Sequence, residues 1–411
     1  MSQLVQVGLL LDVSRKRNWL PSSLASAQFL YDADGYYSGK PGSTYLNGRY
    51  FNSFQEAGGT YTGGAGFKTS QTLLGELTGP YPANTLGETD YGLGVWEART
   101  NKCTNYNRNP TVTTNFTKAG DAAAVFSIVD DAVELGLAGL AGLCDTGKVF
   151  KLDNSAGVGV SSLSNGATGN TNPHVASLYA RGSGTFSVHV AGDGLGPGTT
   201  FAATAHYARY AQAIPTPPNQ PWQLVVAAGS VVYFILNQLE EGAFVTQVIP
   251  VEGVAATRTA DAPLITGIAP LIARPVVFFV EVQCPAISGT NRTFLDIGDG
   301  SNSNRVWIVR NSSDKIQVLQ TTSGVGQAAT TTTATYSGSF SSKIAVRLRD
   351  GVRASAIDNV LFPDVAVTNT PGMDRAFIGT SFSGINIVNG YVRKVAVLPD
   401  MSDAELQALT A

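Results

Sequence analysis

Short apolar segments with an alternating pattern, separated by turns rich in Gly, Asn and Ser, recur in this 411-residue chain from Gly184 onward. Successive strand residues point to opposite faces of a sheet, so each such segment predicts a short strand. "GTFSVHVAG" places Phe186, Val188 and Val190 on one face, and "PVVFFVEVQC", "NRVWIVRN", "KIAVRLRDG" and "YVRKVAVLP" continue the series. Since no helical pattern intervenes between them, the segments favour antiparallel β-sandwiches over parallel βαβ units.

Helical patterns are scarce in this sequence. The C-terminal "MSDAELQALTA" has Ser402 followed three residues later by Glu405, the pattern of a capping box, with Leu406 and Leu409 on one face. A weaker candidate, "DDAVELGLAGLAGL", has helical spacing but contains three glycines. The sequence therefore predicts an all-β fold of tandem antiparallel β-sandwiches, with a turn-rich N-terminal segment and a short C-terminal helix.

Composition excludes several classes of partner. Charged residues are 14% of the chain and the net charge is −3, so we expect no nucleic-acid surface. The N-terminus lacks the features of a signal peptide, and no window of about 18 apolar residues occurs, so we expect no insertion into a membrane. The three cysteines, Cys103, Cys144 and Cys284, have no metal-binding spacing and are interpreted as buried free thiols. No cofactor is expected.

Three blocks follow one another along the chain. Residues 1–95 are rich in Gly, Tyr and turn residues, residues 96–262 carry one series of strand segments, and residues 263–411 carry another. The boundary between the two strand series contains Pro263, Pro270 and Pro275, as a connector should.

The sequence contains little that would indicate an enzyme active site. His174, His189 and His206 are the only histidines, no hydrolase or nucleotide-binding motif occurs in a matching context, and His189 is expected to face solvent. The neighbouring acids Glu240 and Glu241 would point apart on a strand, as would Asp130 and Asp131, so neither pair supplies the convergent carboxylates of a glycosidase. We expect no catalytic residues.

The best polar cluster lies in "FLDIGDGSNSNRVWIV", which predicts a β-hairpin. Asp299, Asn302, Asn304 and Arg305 place carboxylate, amide and guanidinium groups beside Trp307, a combination that suits a sugar ring. These five residues are the predicted carbohydrate-binding site, and a solvated hairpin with a core tryptophan is the alternative. Calcium at Asp296 and Asp299 is a further alternative with only two carboxylates to support it, so no metal site is predicted.

A second segment, "NQLEEGAFVTQVIP", follows the apolar run "SVVYFIL". It predicts a strand that ends at Gln238 or Leu239, a turn at Gly242, and a return in which Phe244, Val248 and Ile249 cover the core. Glu240 and Glu241 then order the turn or face solvent.

Two phrases of this sequence resemble a module of bacteriophage and prophage virion proteins. "GLGVWEARTNKCTNYN" (residues 92–107) is similar to the phrase that opens a carbohydrate-binding-module-like β-sandwich in that family, and "QLEEGAFVTQVIPVEGVAATRTADAPLI" (residues 238–265) is similar to the phrase that closes it. Trp96 and Lys102 stand where the family more often has an acid and a leucine. Residues 263–411 resemble a concanavalin A-like or laminin-G-like jelly roll of the same viral proteins, by "FLDIGDGSNSNRVWIV" and "NGYVRKVAVLPDMSDAELQALTA".

The resemblance covers residues 92–411 and implies a virion-surface adhesin, of the tail fibre, tail spike, head spike or head fibre type. It implies binding to host surface polysaccharide, a homo-oligomer that is often a trimer, and attachment or oligomerisation through residues 1–95, where other virion proteins would be the partners. It supplies no catalytic residues. A decoration protein that binds no sugar, and a capsule depolymerase, are the alternatives.

Overall fold

The computed structural model describes residues 27–32, 43–46, 49–51, 55, 60–62, 68–71, 76–81, 88–89, 91–192, 199–285 and 289–411. The chain forms two compact units. The first unit comprises Met1–Gly63, Glu88–Glu97 and Ala260–Ala411, and the second comprises Gly64–Gly87 and Ala98–Thr259. The boundaries predicted at residues 95 and 262, and the role predicted for residues 1–95, stay predictions.

Almost every described element is a strand. Before residue 98 the strands are β1 (Phe29–Asp32), β2 (Ser43–Leu46), β3 (Arg49–Phe51), β4 (Thr60–Thr62), β5 (Lys68–Gln71), β6 (Leu77–Tyr81), β7 (Glu88–Thr89) and β8 (Gly92–Val95). Residues 98–259 form β9 (Arg99–Asn101), β10 (Thr117–Gly120), β11 (Val125–Asp130), helix α1 (Ala132–Leu137), β12 (Lys148–Asn154), β13 (Ser161–Asn165), β14 (His174–Ser183), β15 (Thr185–Val190), β16 (Thr200–Ala202), β17 (Ala208–Ile214), β18 (Trp222–Val226), β19 (Ser230–Glu241) and β20 (Ala256–Arg258).

The remaining strands alternate along residues 260–411, and a helix follows them. They are β21 (Ala262–Thr266), β22 (Val276–Cys284), β23 (Arg292–Gly298), β24 (Arg305–Arg310), β25 (Ile316–Thr322), β26 (Val325–Gly326), β27 (Thr330–Thr331), β28 (Phe340–Arg349), β29 (Val352–Ile357), β30 (Val360–Ala366), β31 (Arg375–Ile378), β32 (Gly390–Pro399) and helix α2 (Asp403–Leu409). The described chain is thus nearly all β with antiparallel pairing, which confirms the predicted fold class.

The first unit is a sandwich of two large sheets. A ten-stranded sheet runs in the order β3-β2-β1-β32-β22-β28-β29-β30, with β8 and β7 attached beside β32. An eight-stranded sheet runs β26-β25-β24-β23-β31-β21-β4, with β27 on β25. Apolar side chains of both sheets, among them Phe278 and Val397 on one and Leu295 and Ile378 on the other, line a common interior. This interior is the main core of the unit.

Helix α2 covers the other face of the ten-stranded sheet. Leu406 and Leu409 are buried against it, and the predicted capping box is confirmed: Ser402 Oγ accepts from the Glu405 amide, and the Glu405 carboxylate accepts from the Ser402 amide. Arg347 also fixes the helix, because its guanidinium lies 2.7 Å from the carboxylate of Asp403. The pair Ser402 and Glu405 thus begins the C-terminal helix where the sequence predicted it.

The second unit is a smaller sandwich of two five-stranded sheets. One runs β10-β13-β18-β15-β16 and the other β11-β12-β19-β14-β17. Phe116 lies between them, with Phe150 and Phe234 of one sheet at 5.0 and 5.9 Å and Trp222 of the other at 6.2 Å between ring centroids. These four aromatic rings thus form one packed group between the two sheets.

Buried asparagines hold the segment after β9 against strand β19. The side-chain amides of Asn237 and Asn105 bond reciprocally at 3.0 and 2.8 Å, and the Asn237 carbonyl accepts from Asn101 and Asn107 at 3.1 and 2.9 Å. All four residues are fully buried. Because buried polar groups require partners, these bonds fix the segment "NKCTNYN" in one arrangement.

The segment after β19 turns back as predicted, although the strand extends to Glu241, beyond the predicted end. Val248 and Ile249 are fully buried, which confirms that they cover the core. Phe244 is only half-buried, with its ring centroid 4.8 Å from the Arg99 guanidinium, and is not part of the buried core. Glu240 is also fully buried, so solvent exposure was the wrong alternative for this residue. Its carboxylate accepts from the Thr246 amide and hydroxyl, both at 2.7 Å, and so orders the turn.

The two phrases that carry the family resemblance lie side by side. In the second unit β9 pairs with β20, placing Arg99 opposite Arg258. In the first unit the Trp96 amide donates to the Asp261 carboxylate at 2.9 Å, and the Asp261 amide donates to the Trp96 carbonyl at 2.9 Å. The opening and closing phrases are therefore neighbours in space.

Two further predictions from the sequence have clear outcomes. All three cysteines are free and buried, as predicted, and burial raises the pKa of each thiol to about 12. His189 is only 3% exposed, so the prediction that it faces solvent is wrong. The physical reason is that both faces of β15 are covered, since Ser187 on the same face is also buried. Within the described ranges, neither helix is long and apolar enough to cross a membrane.

Candidate functional site

The β23–β24 turn of the first unit contains part of the predicted site. The Asp299 carboxylate accepts from the Ser301 amide at 2.8 Å and from the side chain of Asn304 at 2.9 Å. Asn304 in turn accepts from the Ser323 amide at 2.8 Å, which ties this turn to the next one. Asn302 is exposed at the tip. Asp299 and Asn304 are thus brought together, and their polar groups hold the turn.

The charge of Asp299 is stabilised by these same contacts. Burial alone raises the pKa of this carboxyl, but the hydrogen bonds from Ser301 and Asn304 outweigh it, so its pKa lies below the ordinary value. Asp299 is therefore an anion whose acceptor sites are largely occupied within the turn.

Arg305 and Trp307 meet on the adjoining strand. The guanidinium of Arg305 lies 4.3 Å from the centroid of the Trp307 ring and 5.1 Å from that of Phe382. Its Nη1 donates to the buried carboxylate of Asp296 at 2.9 Å, and the indole N–H of Trp307 donates to Thr293 Oγ1 at 2.9 Å. Both side chains are consequently fixed before any ligand arrives.

The buried carboxylate of Asp296 holds Arg305 in place beside Trp307. The side chain is 1% exposed, and burial raises its pKa although Arg305 and the amide of Phe382 act in the opposite direction. Asp296 thus faces Arg305 while Asp299 faces its own turn, so the two acids do not converge on one point. Among the described residues, no group of three or more His, Cys, Asp and Glu side chains is placed to hold a metal ion.

The side chains around Trp307 form a half-buried surface on the side of the eight-stranded sheet that faces away from the core. Strand register places Leu319 opposite Trp307, Thr321 opposite Arg305, and Phe377 opposite Asp296. We call this surface the Trp307 face, and it comprises Arg305, Trp307, Leu319, Thr321, Phe377 and Phe382. All except the buried Arg305 are partly exposed.

The sequence analysis missed the pairing of Asp296 with Arg305 and four members of the Trp307 face, which are Leu319, Thr321, Phe377 and Phe382. The pairing of Asp296 with Arg305 could have been found by counting residues across the hairpin, because Gly298 opposes Arg305 and Asp296 opposes Trp307. Phe377 and Phe382 lie some 70 residues further along the chain, and no local pattern connects them with the hairpin.

The second unit has an aromatic and charged surface on the outer side of its β19 sheet. Arg181 lies 4.1 Å and Lys151 5.4 Å from the Tyr233 ring centroid. Arg181 is paired with Asp131 at 2.5 Å, and Lys151 is paired with Asp153 at 2.9 Å. Because each cation here has its own carboxylate, this surface has little net charge to attract an anion.

A polar cluster lies at the start of β14 in the same unit. The buried ring of His174 has Nδ1 at 2.6 Å from the Asn172 carbonyl and Nε2 at 3.1 Å from the Lys102 ammonium. Glu241 accepts from Asn170 and Asn172 at 2.8 and 2.6 Å and lies 3.6 Å from Lys102. Since Nδ1 faces an acceptor and Nε2 faces an ammonium, the neutral Nδ1–H form of His174 fits best.

This geometry predicts a loss of stability in acid. Burial, with the charge of Lys102, lowers the pKa of His174 despite the nearby Glu241, so the unfolded chain binds a proton first, near pH 6.5. Stability should therefore fall as the pH drops below about 6.5 and through the folded-state pKa. Urea unfolding of the wild type and of His174→Asn between pH 7.5 and 5 checks this: the wild type should lose more stability than the variant. Parallel pH profiles would show that His174 does not titrate in this way.

Comparison with known proteins gives no family. No protein-family model matches the chain, and no curated protein matches its sequence. Among solved structures, the Ruminococcus gnavus IT-sialidase CBM40 bound to α2,6-sialyllactose is similar at 13% identity, over 33% of this chain and 82% of that one, with a TM-score of 0.29.

Two other structures are similar to the same low degree. The NanB sialidase of Streptococcus pneumoniae is 12% identical over 36% of this chain and 26% of its own, with a TM-score of 0.30. The binding domain of botulinum neurotoxin DC, in complex with rat synaptotagmin II, is 10% identical over 36% of this chain and 39% of its own, with a TM-score of 0.28. Likenesses this low assign neither a family nor a ligand to the chain.

Proposed function

We propose that this protein is a non-enzymatic adhesin on the surface of a phage or phage-like particle, and that it binds polysaccharide of the host cell surface through the Trp307 face. The observation that supports sugar binding is the fixed aromatic and guanidinium surface, in which Arg305 is positioned by Asp296 and Trp307 by Thr293. The resemblance of residues 92–411 to virion proteins supports the particle location.

The chemistry of the Trp307 face suits a neutral or weakly charged sugar. The apolar C–H face of a pyranose packs on flat aromatic surface, and its hydroxyl groups need hydrogen-bond donors and acceptors close by. Arg305 uses only Nη1 for Asp296, so its other N–H groups are not engaged by the described part of the chain. Weak binding at one site would be raised by many copies on one particle.

The described acids fit a role without catalysis. A glycosidase needs two carboxyl groups about 5 to 9.5 Å apart across a cleft, one of them able to protonate the leaving group. Near the Trp307 face, Asp296 is buried in an ion pair and Asp299 is hydrogen-bonded within its turn. We therefore propose binding without cleavage, which a reducing-end assay on purified capsule would check: release of new reducing ends would overturn it.

Replacing Trp307 with alanine should weaken glycan binding by at least about 30-fold, the effect expected when a central aromatic contact of an interface is removed. The measurement is a glycan array and a panel of capsule and lipopolysaccharide extracts, followed by titration of the best ligand with the full-length protein. Phe362→Ala is a matched control, because Phe362 is a half-buried aromatic on edge strand β30 of the other sheet.

The control should bind as the wild type does. Equal losses of glycan binding in both variants would indicate a general effect on folding. Unchanged glycan binding in Trp307→Ala would show that the sugar does not bind at the Trp307 face. No binding by the wild type to any glycan at millimolar concentration would overturn sugar binding itself. Labelling of the protein on intact particles in electron micrographs tests the particle location separately.

A further inference from the structure

Arg353 is a fully buried guanidinium in the first unit. It lies on strand β29, and its Nη2 donates to the Ala328 carbonyl and lies 3.4 Å from Thr330 Oγ1. Its Nε and Nη1 have no hydrogen-bond partner in the described residues. Two donor atoms of a buried cation, which carry three N–H groups between them, are therefore left without an acceptor from the described chain.

The other four buried arginines described in this unit each face a carboxylate. The pairs are Arg292 with Glu97 at 3.2 Å, Arg305 with Asp296 at 2.9 Å, Arg310 with Asp314 at 3.7 Å and Arg347 with Asp364 at 2.8 Å. Among the ranges that the structure describes, no acid lies close enough to pair with Arg353. Consistent with this, burial lowers the pKa of Arg353 to about 10, with no acid acting in the opposite direction.

A buried charge without a counter-charge is strongly unfavourable. Transfer of an ion out of water costs several kcal/mol even after relaxation, and an arginine does not relieve that cost by releasing its proton near neutral pH. A buried water would satisfy an N–H donor but would not neutralise the cation. Neutralising the buried charge of Arg353 therefore requires an anion that the described chain does not supply.

The same face of β29 offers a third donor. Ser355 follows Arg353 by two residues, so both side chains point into the sandwich while Ala354 and Ala356 pack on the side covered by helix α2. Ser355 is fully buried, and its hydroxyl has no partner in the described residues. The three N–H groups on Nε and Nη1 of Arg353 and the O–H group of Ser355 thus lie unpartnered on one strand face.

We propose that Arg353 and Ser355 bind a small inorganic anion, of the size of chloride, between the two sheets of the first unit. Full burial of both side chains favours a monatomic ion over an organic acid or a sugar. Because Ala328 and Thr330 contact the guanidinium, the segment around β27 covers the site, and the ion enters during folding or when that segment opens.

The proposal is tested by unfolding the full-length protein in sodium chloride or bromide and in sodium gluconate of equal ionic strength. Halide at about 100 times its Kd should raise the thermal midpoint by about 5 °C or more. Arg353→Met should lose this halide dependence, whatever its own stability. Arg349→Met, which removes a partly exposed arginine paired with Asp400, should keep it.

Crystals of the wild type grown in bromide give a second readout that needs no variant. Anomalous scattering should place a bromide within hydrogen-bond distance of Arg353. Equal midpoints in halide and gluconate, halide dependence that survives Arg353→Met, or a water in place of the ion would each overturn the proposal.

Discussion

Replacing Gly182 with alanine is expected to destabilise the second unit by more than about 3 kcal/mol. Gly182 has a φ of +144°, which residues with a side chain rarely adopt, and it lies on β14 directly beside β19. An added Cβ would lie 1.9 Å from the Val231 carbonyl oxygen and 3.0 Å from its carbon. The clash is with the backbone of the paired strand β19, so no side-chain rotation can relieve it. The hydrogen bonds between β14 and β19 would therefore have to lengthen or break at this point.

Gly229→Ala is the matched control for this substitution. Gly229 also has a positive φ, of +75°, but nothing lies within 4 Å of the position of its Cβ. It should cost only the strain of the left-handed conformation, about 1 to 2 kcal/mol. Urea unfolding followed by intrinsic fluorescence measures both variants. Similar losses would mean that the close approach of β19 to Gly182 contributes little.

The second large effect is expected for Glu240→Ala, which should lower the free energy of unfolding by about 3 kcal/mol. The buried carboxylate of Glu240 accepts from both the amide and the hydroxyl of Thr246, so its removal leaves two donors without a partner and a space in the core. The return of Val248 and Ile249 onto the sandwich depends on this turn. The variant should therefore show increased hydrogen exchange across residues 242–251.

Glu241→Ala separates this effect from a general sensitivity of the segment. Its side chain is 43% exposed and pairs with surface asparagines, so we expect a loss below about 1 kcal/mol. Both variants should keep any glycan binding by the first unit. A greater loss for Glu241→Ala than for Glu240→Ala would contradict the assignment of Glu240 as the residue that holds the turn.

The strands with a long alternating pattern were predictable from sequence, and the short ones were not. "GTFSVHVAG" and "YVRKVAVLP" correspond to β15 and β32, because five or more alternating residues are enough to reveal a period of two. Strands β1 to β8 are only two to five residues long and escaped notice. β1 is held in the ten-stranded sheet by β32, more than 350 residues away. A local pattern cannot reveal such a pairing.

For the candidate site, the sequence predicted the hairpin and the closeness of Asp299 to Asn304, since both follow from turn chemistry. Which side chains of the hairpin contact one another, and which remain available to a ligand, was not predictable. Whether Arg305 faces a sugar or a buried acid depends on strand register and on Phe382, which arrives from a distant loop. Likewise, the burial of His189 depends on what covers the outer face of β15. The residues of β15 themselves do not indicate that this face is covered.

The pairing of β9 with β20 has a topological consequence. Residues 98–259 have their two ends joined by this pair of strands, with Arg99 opposite Arg258, and Gly64–Gly87 complete the same unit. Segments with neighbouring ends can be exchanged, duplicated or removed with little change to the host fold. The two phrases, residues 92–107 and 238–265, span the two ends of the stretch and would then be the constant edges of an exchangeable insert, while the residues between them are free to diverge.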